Sequence, residues 1–179
     1  MPTRRWILAS GAALAVSACT DGMPSVMPIP KDTAPLDLQL TSDGLRVPST
    51  DQRIDFGRAE AGVVAAVAKQ LNEQPTSSAT NAECGAGPVT TVSFAKGIHL
   101  LFQNGDFRGW GATSPVFVTA TGLSAGKTRA QLEATGVTGF QQTTIGTEFE
   151  VSGVFGLLEL PTKTARVDLL WAGVSCFFR

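Results

Sequence analysis

Phe56-Gly57-Arg58-Ala59-Glu60-Ala61-Gly62-Val63 and Ala125-Gly126-Lys127-Thr128-Arg129-Ala130-Gln131-Leu132 carry the same succession of glycine, cation, small residue, charge, alanine and, two places on, an aliphatic. Each stretch leads into a helical segment and then into strand-like segments that close on Trp110-Gly111-Ala112 in one case and Trp171-Ala172-Gly173 in the other. One amphipathic helix with one meander cannot bury its apolar side alone, whereas two such units side by side can. The pattern therefore predicts an α+β domain spanning residues 36–179 that holds two tandem helix-meander repeats, over residues 54–114 and 123–173.

The local signals within each unit differ. Val63, Val64, Val67 and Leu71 recur at helical spacing until Pro75 forbids further helix. In the second unit Thr128 and Gln131 have the capping-box spacing, and Gly136 is a natural stop after a short helix. Residues 75–87 are small, polar and glycine-containing and read as a loop. Three antiparallel strands are expected at Val89 to Phe94, Ile98 to Phe102 and Phe107 to Trp110, with Asn104-Gly105 a strong hairpin signal. Val116 and Val118 alternate as in a short strand, and the second meander is expected at Glu148 to Val151, Val154 to Glu159 and Arg166 to Trp171. The apolar end, Val174-Ser175-Cys176-Phe177-Phe178, reads as a last buried strand.

Ahead of the repeats, Leu36, Leu38 and Leu40 alternate with polar residues, and Ser42-Asp43-Gly44 precedes Leu45-Arg46-Val47, which is a β-hairpin pattern ended by Pro48. Residues 19–35 hold Pro24, Pro28, Pro30 and Pro35 among small and polar residues, the composition of an extended linker. Residues 1–18 read as an export signal: Arg4 and Arg5 lead an apolar run from Trp6 to Val16 that is too short to span a bilayer. The chain carries 14 Lys and Arg against 15 Asp and Glu. Loss of the signal removes Arg4 and Arg5 and no acid, so nothing basic remains to attract nucleic acid.

Val16-Ser17-Ala18-Cys19 resembles a bacterial lipobox, which implies that Cys19 becomes the acylated first residue of the mature protein. Acyl chains contribute about 0.8 kcal/mol per buried methylene, so a multiply acylated Cys19 would stay on a membrane. Thr20, in place of aspartate, resembles the signal for the outer membrane. Thr3-Arg4-Arg5-Trp6-Ile7-Leu8 resembles a twin-arginine signal with Ile7 for the usual Phe, which leaves two export routes open. Across residues 54–173, the glycine-led helix and meander in duplicate resemble two families. One is that of the small lipoprotein of the outer-membrane barrel-assembly machine, in single copy; the other is that of the β-lactamase inhibitory protein, in tandem copy. Both resemblances imply an α+β fold in which a curved antiparallel sheet carries helices on one face and leaves the other face free for a protein partner.

With Cys19 lipidated, Cys84 and Cys176 remain, and in an oxidising compartment an even pair is most simply a disulfide. Closing residues 84–176 into a loop is worth about 4.6 kcal/mol in the chain-entropy model. The alternative makes Cys84 a nucleophile with His99 as its base, although no spacing marks an orienting third group. His99 is the one histidine, so no zinc cluster of histidines is available. Gly122-Leu123-Ser124-Ala125-Gly126-Lys127-Thr128 ends like a phosphate-binding loop but has three residues between its glycines rather than four. Cys84-Gly85-Ala86-Gly87 lacks the third glycine and helix of a dinucleotide site. No pattern calls for a cofactor or a metal. Trp110 and Trp171 are either core plugs of their repeats or exposed aromatic anchors for a partner.

Together these readings describe a lipid-anchored envelope protein, at the periplasmic face of the outer membrane, that acts as a non-catalytic protein-binding or assembly module. The alternatives are a cysteine-dependent envelope hydrolase using Cys84 and His99, and an inhibitor of a periplasmic enzyme.

Overall fold

A computed structural model of the chain describes residues 36–176. In chain order the elements are β1 (Gln39–Thr41), β2 (Gly44–Val47), β3 (Gln52–Asp55), α1 (Glu60–Leu71), β4 (Ser77–Asn81), β5 (Val89–Phe94), β6 (Ile98–Gln103), β7 (Asp106–Ala112), β8 (Val118–Thr119), α2 (Arg129–Ala134), β9 (Gln141–Thr143), β10 (Gly146–Val151), β11 (Val154–Leu158) and β12 (Val167–Gly173). They form an α+β fold of mostly strands. One antiparallel sheet has eight strands in the order β4-β5-β6-β7-β12-β11-β10-β9, and a small mixed sheet has the order β3-β2-β1-β8, with β8 parallel to β1.

The large sheet is two four-stranded meanders joined through their last strands. Trp110 of β7 lies opposite Ala172 of β12, and Gly111 opposite Trp171. Its inner face is the core: Val92 and Phe94 from β5, Ile98, Leu100 and Phe102 from β6, Leu158 from β11 and Leu170 from β12 are all buried. Val63, Val67, Ala68 and Leu71 of α1 and Leu132 of α2 belong to the same cluster, as do Leu40, Leu45 and Ile54 of the small sheet. The expected alternation of Ile98, Leu100 and Phe102 against His99, Leu101 and Gln103 is observed, the first set buried and the second half-buried.

Neither helix starts on its own. The first amide of α1, Glu60 N, donates to the Gly105 carbonyl in the β6–β7 turn at 2.8 Å, and the first amide of α2, Arg129 N, donates to the Ala165 carbonyl at 2.9 Å. A helix N-terminus leaves four donors without intrahelical partners; here the approach to the last strand of the meander satisfies one in α1 and two in α2, where Ala130 N also donates to the Lys163 carbonyl at 3.0 Å. Beside these bonds, Gly57 N donates to Phe107 O and Phe107 N to Arg58 O, while Gly126 N donates to Val167 O and Val167 N to Lys127 O, all at 2.7–2.9 Å. Ala59 bridges Asp106, and Thr128 bridges Arg166. The two meanders also share an irregularity, a register shift at Leu101/Phe102 against β7 and at Leu157/Leu158 against β12. α2 has the capping box expected from Thr128 and Gln131, and α1 ends on Asn72 in the left-handed conformation.

Several expectations require correction. Residues 75–87 are not all loop, because Ser77–Asn81 forms the edge strand β4, paired with β5 along its length. All five of its side chains are exposed, so no apolar alternation marked it; backbone pairing and the Thr80–Thr90 hydroxyl bond at 2.8 Å hold it. The short β3 and β9 are likewise strands with little apolar signal. Val174–Cys176 is not a strand, and Phe177 and Phe178 lie outside the described residues. Trp110 and Trp171 do not correspond. The matched bonds set Phe107 against Val167, so Trp110 answers to Leu170 and Gly111 to Trp171. A one-residue offset in a strand reverses the face.

The join between the meanders tolerates no side chain at Gly173. Its φ is +76°, and a Cβ there would run into the Arg108 carbonyl and the Gly109 backbone. Gly173→Ala is expected to lose more than about 2 kcal/mol of unfolding free energy. Gly62→Ala, on the open side of α1 with nothing within 4 Å, is expected to gain about 0.5 kcal/mol. Urea denaturation of both variants checks the pair.

Candidate functional site

The outer face of the large sheet carries an unusual load of apolar side chains. β6, β11 and β12 are apolar in near-continuous runs, Ile98-His99-Leu100-Leu101, Val154-Phe155-Gly156-Leu157-Leu158 and Leu169-Leu170-Trp171-Ala172. A strand whose second face meets water alternates, and continuous runs belong to strands covered on both faces. Here Leu101, Phe155, Leu157 and Leu169 point away from the core and are half-buried. Trp171 lies among them, 2 % exposed, stacked on Phe155 at 5.6 Å between centroids and 18° between planes. This row was legible in the sequence as a failure of alternation, but reading each strand for one buried face missed it.

Past Gly173 the chain turns back over this face. Val174 N donates to the Arg108 carbonyl at 2.8 Å, and Val174–Cys176 together with Thr91, His99, Leu101, Leu169 and Trp171 enclose a cavity of about 210 Å³. His99 Nδ1 and Ser93 Oγ are hydrogen-bonded at 2.9 Å across the β5–β6 pair. Burial lowers the imidazole pKa below its ordinary 6.5. At the other end of the face, the buried Glu148 carboxylate accepts from Thr143 Oγ1 at 2.9 Å. A larger, open groove of about 910 Å³ runs along α1 on the inner side, between Ala61, Val64 and Ala65 and the β4–β5 residues Ser78 and Val92.

Cys84, in the β4–β5 loop, and Cys176, in the strap after β12, are brought together. Cys84 Sγ approaches the Ser175 carbonyl at 4.0 Å, and Asn81 Nδ2 donates to Cys176 Sγ at 3.2 Å. Cys84 is buried and Cys176 half-buried, each as a thiol. The hydrogen bond with Cys84, then burial, raises the Cys176 pKa, which disfavours a thiolate. His99 meets Ser93 rather than Cys84, so the described geometry gives a Cys84–His99 nucleophile pair no support. Trp110 is fully buried on the inner face, its indole N–H donating to the Thr41 carbonyl of the small sheet at 2.8 Å. Neither indole projects from the folded chain as an exposed anchor. Cys19 lies outside the described residues.

The segment that ends like a phosphate loop is a turn. Gly126 N and the Lys127 carbonyl are both engaged with Val167, and Thr128 caps α2. Among the described residues, no group of three or more His, Cys, Asp or Glu is placed to hold a metal ion, and no helix is long and apolar enough to cross a membrane. Comparison of the chain with protein-family models, curated proteins and solved structures finds no match.

The depressed pKa of His99 has a signed consequence. The unfolded chain takes up a proton near pH 6.5 and the folded chain resists it, so stability is undiminished above that pH. It falls as the pH drops below 6.5, and the loss levels off once the folded-state pKa is passed. His99→Gln is expected to shrink the difference in unfolding free energy between about pH 8 and about pH 5, measured by urea titration at each pH.

Proposed function

We propose that the chain is a bacterial envelope lipoprotein, anchored through acylated Cys19 at the periplasmic face of the outer membrane and acting as a non-catalytic protein-binding or assembly module. The observation that carries this reading is the outer row of Leu101, Phe155, Leu157 and Leu169, half-buried around Trp171 on a sheet face opposite the core. Contiguous apolar surface on a folded domain marks a place where another molecule sits, and an aromatic stack in its centre supplies a rigid contact.

The domain beneath that face is read as two tandem copies of a helix-meander unit, with both helices on the side away from the row. The matched bonds of Gly57 with Phe107 and of Gly126 with Val167, and the shared register shift, support duplication. An inhibitor of a periplasmic enzyme would use the same face, and the identity of the protein bound decides between the two roles.

Two measurements test the reading. Cys19→Ala should abolish labelling by radioactive palmitate and move the protein from the membrane to the soluble envelope fraction. Leu157→Glu with Leu169→Glu, in the full-length lipidated chain, should reduce recovery of partner proteins from solubilised envelopes by about tenfold or more, with the circular dichroism unchanged. Recovery of the same proteins in equal amounts would remove the outer face from the interaction.

A further inference from the structure

The C-terminal strap is a small element with a large task. In three residues, Val174 to Cys176, it leaves β12, crosses the outer face and arrives beside the β4–β5 loop on the far side of β5. An extended chain advances about 3.3 Å per residue and neighbouring strands lie about 4.8 Å apart, so three residues suffice to cross from β7 to β5. The path needs Gly109, because a Cβ at that position would strike the Val174 carbonyl and amide. Few contacts hold the strap along the way. Val174 N bonds to Arg108 O, and Ser175 O and Cys176 Sγ meet Cys84 Sγ and Asn81 Nδ2.

We propose that Cys84 and Cys176 are a disulfide-forming pair whose bond fastens this strap over the cavity lined by His99, Leu101, Leu169 and Trp171. The residues are far apart in sequence, yet Cys84 Sγ lies against the carbonyl of Ser175, the residue before Cys176, and Cys176 Sγ against the side chain of Asn81, three residues before Cys84. The oxidant is a small or protein disulfide, R–S–S–R. Cys176, the more exposed sulfur, attacks as thiolate; the R–S–S–R bond breaks, a mixed disulfide forms and one RS⁻ leaves. Cys84 then attacks the sulfur of Cys176 in the mixed disulfide, the protein S–S bond forms and the second RS⁻ leaves. The two protons lost by the cysteines are taken up by the two leaving thiolates, and the pair is oxidised by two electrons as R–S–S–R is reduced. Because the Cys176 pKa is raised by its neighbour and by burial, the rate should climb toward alkaline pH.

The oxidising compartment rests on the export reading, but the geometry does not, and the experiment separates them. The purified full-length chain, taken up in denaturant without reductant, is alkylated and digested with trypsin, once as isolated from the envelope and once after reduction and incubation with oxidised glutathione. Peptides 70–96 and 167–179 hold Cys84 and Cys176. Their recovery as one species, lighter by two hydrogens than their sum, is expected from both preparations. Linkage after glutathione alone would retain the pair and count against export. Recovery of both peptides separately, alkylated or capped by glutathione, after both treatments would overturn the pair, as would linkage of either to another cysteine. Dithiothreitol should lower the Tm of the linked protein by about 10 °C or more and leave Cys84→Ser with Cys176→Ser unmoved. Faster hydrogen exchange at the Trp171 indole on reduction supports fastening over the cavity, and unchanged exchange there would overturn it.

Discussion

The structure depends on the pairing of β7 with β12. Each meander ends on a strand that would otherwise be a free edge, an open row of donors and acceptors that must be paired, covered or charged. Joining the two last strands removes both edges at once and turns two marginal four-stranded sheets into one of eight. The same two strands carry the helix starts, since Gly57 and Arg58 hold Phe107, and Gly126 and Lys127 hold Val167. Helix, turn and central strand are thereby locked into a single unit in each half. The close approach is set by glycines, with Gly109 opposite Gly173 where the strands part.

Because the strands of this join are buried on the inner side and apolar on the outer, a shift of one residue has chemical consequences. The offset that matches Trp110 to Leu170 sends one tryptophan into the core, where its N–H meets the Thr41 carbonyl, and leaves the other on the opposite face against Phe155. The first fastens the small sheet to the large one. The second is the centre of the candidate binding surface. Exposed ion pairs such as Arg53 with Asp43 and Asp55 lie outside both layers and add little to this organisation.

The parts of the fold that were legible in the sequence are those in which a side chain alone reports the environment. Val63, Val67 and Leu71 marked α1, the Thr128/Gln131 box marked the start of α2, and Asn104-Gly105 marked the β6–β7 turn. The likeness of residues 56–63 to 125–132 pointed to hydrogen bonds that the two halves make in common. Hidden elements are those held by the backbone. Ser77–Asn81 has no buried side chain, and neither has Gln141–Thr143. The candidate surface was misread for a related reason: aligning the tryptophans by their small neighbours set them opposite in the two copies, although Trp110 stands three residues past Phe107 and Trp171 four past Val167, so that the two rings emerge on different faces.

Native-state hydrogen exchange along a urea series tests the central claim that the join makes the two meanders one cooperative sheet. The slowest amides of β6 and β7 and those of β11 and β12 should converge on one unfolding free energy with one denaturant slope. Two separate free energies, one for residues 77–112 and another for residues 141–173, would show that each meander stands alone and that the join holds nothing together.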